Sequence, residues 1–144
     1  MATYTSTVFA NNQPKAVHAG VNSVSGSYSM GATASSNGDI IFLAKIPNGA
    51  KFVLIEEDHS TGATAQALSF GYASGGPGGS ATFSAFIASG AQATLNRKNV
   101  AGIPADCSLS ANDPNSYGIL AAKVESGTAT TSLIVNFVFN YRLD

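Results

Sequence analysis

The polar and apolar positions of this chain alternate with a period of two, and the clearest case closes it: Leu133, Val135, Phe137, Phe139 and Tyr141 interleave with Ser132, Asn136, Asn140 and Arg142. Successive side chains of a strand point to opposite faces, so this pattern predicts a long strand with one buried face. Its other face also carries Ile134 and Val138, more apolar than water-facing positions want. Either another chain or a loop of this chain covers them. Two runs in the first half, Asp39 to Ile46 (DIIFLAKI) and Phe52 to Ile55 (FVLI), are apolar at every alternate position on both faces. Such strands belong in the middle of a sandwich or beneath a covering layer. Pro47, Asn48 and Gly49 between them make a turn, because proline presets φ and glycine supplies the positive φ.

Further strands are predicted over Thr3 to Phe9, Lys15 to Tyr28, Ala65 to Tyr72, Ala81 to Ile87 and Tyr117 to Glu125. In the second of these the parity of Val17, Ala19 and Val21 changes to that of Val24 and Tyr28, which predicts a bulge. The one helix-permitting stretch, Gln92 to Lys98, is too short to stand without packing. Asn99 to Ser116, with Pro104 and Pro114 among polar residues, reads as a long loop. About eight short strands with frequent turns and almost no helix predict an all-β fold: one β-sandwich of the jelly-roll type over residues 1–144, with residues 1–10 as an N-terminal arm. An immunoglobulin-type sandwich lacks its Cys, Trp, Cys spacing, and no repeat of a propeller or solenoid is visible. The expected core is Phe42, Leu54, Phe70, Phe83, Leu133, Val135, Phe137 and Phe139.

Composition sharpens this picture. At 144 residues one domain can bury roughly 70% of the surface that its unfolded chain exposes, so no covalent staple is required. Charged residues make up 10% of the chain and the net charge is -1. That is no footprint for nucleic acid, and it is far below the roughly 25% with which a monomer ordinarily keeps itself soluble. Ala, Gly, Ser and Thr dominate and Trp is absent. Two readings follow: a small-residue β domain wetted by hydroxyls and amides, or a surface covered by copies of itself or by a partner. No charged leader before an apolar run and no apolar stretch of about 20 residues occurs, so neither secretion by that route nor a membrane span is expected. The single cysteine, Cys107, has no internal partner for a disulfide, in keeping with synthesis in a reducing compartment.

Candidate chemistry is thin. A catalytic triad needs a nucleophile, a base and an orienting group, and the chain has only His18 and His59. His18, between Val17 and Ala19, reads as a surface histidine, and Cys107, near Asp106, has no neighbour in sequence to activate it. Glu56, Glu57, Asp58 and His59 form the one dense polar cluster. Adjacent residues on a strand diverge, so a solvated strand end suits them better than an interface salt bridge or a metal site. The glycine run Gly75, Gly76, Pro77, Gly78, Gly79 lacks the following Lys and Ser or Thr of a phosphate loop and reads as a hairpin tip. Asn112 to Tyr117 (NDPNSY) reads as a turn series. No enzyme and no cofactor are expected.

The pairing of DIIFLAKIPNGAKFVLIEED at Asp39 to Asp58 with YGILAAKVESGTATTSLIVNFVFNY at Tyr117 to Tyr141 resembles the small jelly-roll decoration (cement) and minor structural proteins of tailed-bacteriophage virions. There an apolar strand runs into a Pro-x-Gly-Ala turn and a second strand, matched here by Pro47, Gly49 and Ala50. The opening MATYTSTVF and KAVHAGVNSV resemble the entry strand of those proteins. The likeness spans most of the chain and its motifs are structural. It implies a non-enzymatic protein of the virion capsid surface, made in the host cytoplasm and bound as a homotrimer to the major capsid protein lattice. Tyr4, Val8, Phe9, Ile134 and Val138 are the expected interface residues. The alternative is a receptor- or carbohydrate-binding β-sandwich of a tail fibre or adhesin. Sugar sites usually rest on aromatic platforms, and a chain with five Tyr and no Trp suits the structural reading better.

With two histidines, one cysteine and carboxylates that alternate across a strand, neither folding nor assembly should need a metal. Dialysis against a strong chelator should leave the thermal midpoint unchanged; a large drop restored by Ca²⁺ or Zn²⁺ would show otherwise.

Overall fold

The chain doubles back on itself as a set of nested hairpins rolled into two facing sheets. The computed structural model describes residues 1–11, 20–30, 34–47, 51–60, 67–74, 81–91, 98–99, 117–127, 131 and 133–142, with the backbone alone at 51–60, 74, 86–91, 98–99 and 117. The elements are β1 (Thr3–Thr5), α1 (Thr7–Asn11), β2 (Asn22–Ser29), β3 (Ile40–Pro47), β4 (Lys51–Ser60), β5 (Ala67–Ser74), β6 (Thr82–Ala91), β7 (Lys98–Asn99), β8 (Tyr117–Ser126) and β9 (Ile134–Arg142). The pair β5–β6 is innermost in sequence, then β4–β7, β3–β8 and β2–β9, all antiparallel. Rolling this ribbon gives one sheet in the order β1-β3-β8-β5-β6 and a second in the order β2-β9-β4-β7. Eight antiparallel strands divided in this way are a jelly roll, to which β1 adds a short parallel strand beside β3.

The main core lies between the sheets. Leu133, Val135, Phe137, Phe139 and Tyr141 of β9 and its approach face Ile41, Leu43, Ala44 and Ile46 of β3, Leu68 and Phe70 of β5, and Leu120, Ala122 and Val124 of β8. The alternation that predicted β9 is what builds this layer: its even-numbered neighbours Ile134, Asn136 and Arg142 are exposed, and Val138 and Asn140 half-buried.

β3 is buried along both faces, and one extra residue explains how. The register against β8 runs Phe42 to Ala121 and then Ala44 to Leu120, which leaves Leu43 as a bulge. Unbroken alternation from Ile41 and Leu43 would send Lys45 between the sheets, where an unpaired ammonium is costly. The bulge resets the parity. Ala44 and Ile46 now face the main core, and Lys45 turns outward to lie 5.2 Å from the centre of the Phe9 ring. On the outer face Ile40 and Phe42 join Phe9, Ala73, Ala81, Ile119 and Ala121 in a second buried cluster, with Phe83 packed against it.

Several expectations change in detail. Thr3 to Phe9 is not one strand: it pairs only through Thr5, and Thr7 begins α1. The reason is Ser6, whose Oγ accepts the Phe9 N–H at 2.9 Å while the Ala10 N–H returns to its carbonyl at 3.1 Å, as at a helix N-cap. β2 pairs with β9 through eight residues without a bulge, and Val21 stands before it in the open. Lys15 to Ala19 lie outside the described residues. β4 continues past Ile55 to Ser60, so Glu56 to His59 are within a strand and not beyond its end. Of the expected core, Phe42, Phe70, Leu133, Val135, Phe137 and Phe139 are buried. Phe42 lies in the outer cluster, and the Leu54 side chain lies outside what is described. So do the glycine run at 75–79, the loop around Cys107, His18, and all of Gln92 to Lys98 but Lys98, which is in β7.

Truncating Phe137, 3% exposed and central to β9, to Ala should cost about 3–5 kcal/mol in denaturant unfolding. A loss below about 1 kcal/mol would mean that the side chain is not in a packed layer.

Candidate interaction surfaces

Two parts of the molecule stand out, and both lie where the sandwich ends in an edge strand. One is the outer face of the second sheet. On β2 the side chains Ser23, Ser25, Ser27 and Ser29 are all exposed, while Asn22, Val24, Gly26 and Tyr28 are half-buried. In register beside them on β9 are Asn140, Val138, Asn136 and Ile134. Beyond those, in β4, the partners are Leu54, Glu56, Asp58 and Ser60. Edge strands are usually protected by charge, proline or a bulge, and β2 has none of these over its eight residues. Ile134, 38% exposed at one end of β9, and half-buried Val138 at its middle are the apolar positions of this face, with Glu56 and Asp58 of β4 in register beside it.

The second part is the N-terminal segment and the place where it lies. Asp39, 3% exposed, opens β3 and turns its carboxylate toward the chain start: Oδ1 accepts the Ala2 N–H at 2.7 Å, and Oδ2 accepts the Ser36 N–H at 2.8 Å and the Tyr4 O–H at 3.4 Å. Burial, and then the neighbouring Asp39 charge, push the Tyr4 hydroxyl above its usual pKa. The ladder continues with Ile40 N–H to the Ala2 carbonyl at 3.0 Å and Ser6 N–H to the Phe42 carbonyl at 2.9 Å. The Ser6 hydroxyl donates to the carbonyl of Leu43, the bulged residue, at 2.6 Å. One buried serine therefore caps α1 and satisfies the bulge. Beyond it Phe9 stacks on Phe42 with centroids 5.4 Å apart, and Val8 packs against the main core. Val8 sits over Gly26 of β2, where a Cβ would collide with Val8 Cγ2.

The five residues expected at an interface thus divide. Ile134 and Val138 face outward together on β9. Tyr4, Val8 and Phe9 are packed against the chain's own sandwich, Phe9 at 5% exposure. The roles of Ser6, Asp39 and Gly26 were not foreseen; the signal for the first was a serine three residues before Phe9, the spacing of an N-cap. Elsewhere, on the outer face of the first sheet, Ser69 donates to Glu125 at 2.6 Å and Lys123 pairs with Glu125 at 3.0 Å. The Ser69 bond chiefly holds the Glu125 carboxyl below its ordinary pKa, with Lys123 adding and burial opposing. Among the described residues no three His, Cys, Asp or Glu gather as metal ligands, and no described helix is long and apolar enough to cross a membrane.

Two hydrogen-bonded sheets in jelly-roll order, with no assembled reactive group among the described residues, define the class of the protein by its fold. No family model matches the chain, and no curated protein matches it. Among solved structures, a chain of the capsid of Ralstonia phage GP4 shares the fold with a TM-score of 0.76, over 99% of this chain and 99% of its own, at 19% sequence identity.

Ser6→Ala should destabilise the chain by about 1–3 kcal/mol, because it removes the α1 cap and leaves the buried Leu43 carbonyl without its donor. An unfolding midpoint within error of the parent would mean that the N-terminal segment adds nothing to stability.

Proposed function

We propose that this chain is a non-enzymatic structural protein of a bacteriophage virion, which decorates the capsid surface as a trimer bound to the lattice of the major capsid protein. The observation that carries this reading is the end-to-end match of its jelly roll with a chain of a phage capsid. The surface chemistry agrees with it. On the outer face of β2 and β9, serines and asparagines flank Ile134 and Val138 beside an uncharged edge strand, which suits docking on a protein lattice through apolar contact and main-chain pairing. The trimer follows from the resemblance noted in the sequence and from symmetry, since a protein seated where three shell subunits meet matches that axis. Synthesis in the host cytoplasm accords with the single thiol. Among the tyrosines whose side chains are described, Tyr4, Tyr28, Tyr72 and Tyr141 pack on or in the main core, so these four lend no support to a sugar-binding fibre or adhesin.

The reading is tested on particles purified from a phage that carries the gene, by quantitative mass spectrometry. The chain should be present in a fixed stoichiometric ratio to the major capsid protein. It should also survive a wash raised from about 0.1 M to about 1 M salt, which shortens the Debye length from roughly 10 Å to 3 Å. Absence from the particle, or the few copies of a tail appendage, would contradict it.

A further inference from the structure

The second sheet ends at β2 in a long edge with open main-chain groups. Among the described residues the other sheet edges are short or kinked: β1 has three residues and β7 two, and the register of β6 against β5 shifts twice. β2 runs eight residues against β9 without a shift. The Met30 N–H, one step past this ladder, bonds the Leu133 carbonyl at 2.9 Å. Bonded and unbonded pairs alternate along antiparallel strands, so Val24, Gly26 and Tyr28 direct their N–H and C=O groups to β9, and Ser23, Ser25, Ser27 and Ser29 direct theirs away from it. Among the described residues no hydrogen bond takes up these outward serine groups. α1 meets β2 from the inner side, with Val8 over Gly26 next to Phe137.

The sequence of the edge matches itself. Ser23-Val24-Ser25-Gly26-Ser27-Tyr28-Ser29 has the same pattern in both directions about Gly26. When a second copy of β2 lies antiparallel across a two-fold axis at Gly26, Ser23 faces Ser29 and Ser25 faces Ser27. These are the residues whose main-chain groups point outward, so each facing pair exchanges both of its N–H to C=O bonds. Gly26 faces Gly26 in the close unbonded pair, about 4.5 Å between Cα atoms, where neither brings a side chain. Val24 faces Tyr28 on the inner side, a β-branched residue against an aromatic one, and serine hydroxyls meet on the outer side. Both are favourable cross-strand pairs, and no like charges meet. A register shifted to the next bonded pair leaves an end serine with no serine opposite it.

We propose that β2 pairs with β2 of a second copy across a two-fold axis at Gly26, joining the second sheets of the two molecules into one. The outer faces then continue into each other, which sets Ile134 and Val138 of both copies on one side and keeps them clear of the pairing. The proposal goes beyond the capsid reading and does not depend on it; on a shell the pairing links one trimer to the next.

The test is sedimentation equilibrium of the full chain over a range of concentrations. The parent should have a mass that is an even multiple of the 14.6 kDa chain. Ser25→Lys with Ser27→Lys sets like charges opposite each other and should halve that mass, whereas Ser25→Lys with Ser27→Glu sets opposite charges there and should keep it. Both serines are exposed, so the far-UV circular dichroism of the two variants should match the parent. A mass that both variants lower alike, or that neither lowers, would overturn the proposal. So would a parent that stays single at every concentration, which would leave the β2 edge for a strand of the shell. In each case the particle composition decides the capsid reading separately.

Discussion

The bulge at Leu43 is the constraint on which the rest of the molecule depends. A strand can feed one core by simple alternation, and β3 must feed two. By inserting one residue opposite β8, the chain keeps Ile41, Leu43, Ala44 and Ile46 between the sheets and Ile40 and Phe42 on the outside, with Lys45 kept out of the interior. The carbonyl that the bulge exposes is then met by Ser6. The same serine caps α1 where β1 ends, and Phe9 in α1 stacks on Phe42. The N-terminal segment is in this sense the answer to a problem that β3 creates.

The nested hairpins place this arrangement beside β2, the edge of the opposite sheet, so that α1 reaches both sheets at one side of the sandwich. Val8 contributes to the main core and Phe9 to the outer cluster, although they are adjacent in sequence. Gly26 makes the first contact possible by having no side chain where Val8 lies. The outer face of β2 and β9 carries no such burden, and its serines, asparagines and two aliphatic side chains are left to meet whatever the assembled protein touches.

Much of this was legible in the sequence because period-two alternation is a direct consequence of strand geometry. Leu133 to Tyr141 gave away the largest element of the core, and DIIFLAKI declared a strand covered on both sides. The elements that were misread have a shared cause: their structure depends on partners distant in sequence. Thr3 to Phe9 has the β-branched composition of a strand, but Ser6 caps a helix locally and is fixed in place by its bond to Leu43, 37 positions away. The acidic run from Glu56 looked like a strand end because carboxylates are poor strand formers; pairing with Val138 to Val135 on β9 carries the strand through it. The outward pairing of Ile134 and Val138 was visible, whereas the role of Asp39, at the head of an apolar run, rests on contacts with Ala2 and Tyr4 that lie far from it in sequence.

The central claim is that β3 carries two cores and that the N-terminal segment closes the outer one through Ser6 and Phe9. Native-state hydrogen exchange of the isolated protein addresses it most directly, since it resolves partial opening from global unfolding. The amides of Ser6, Phe9 and Ala10 should exchange together through an opening of lower free energy than the amides by which β3 and β8 donate to each other, which should exchange only by global unfolding. Equal protection of the two groups would contradict the account, because the segment would then be an inseparable part of the sandwich.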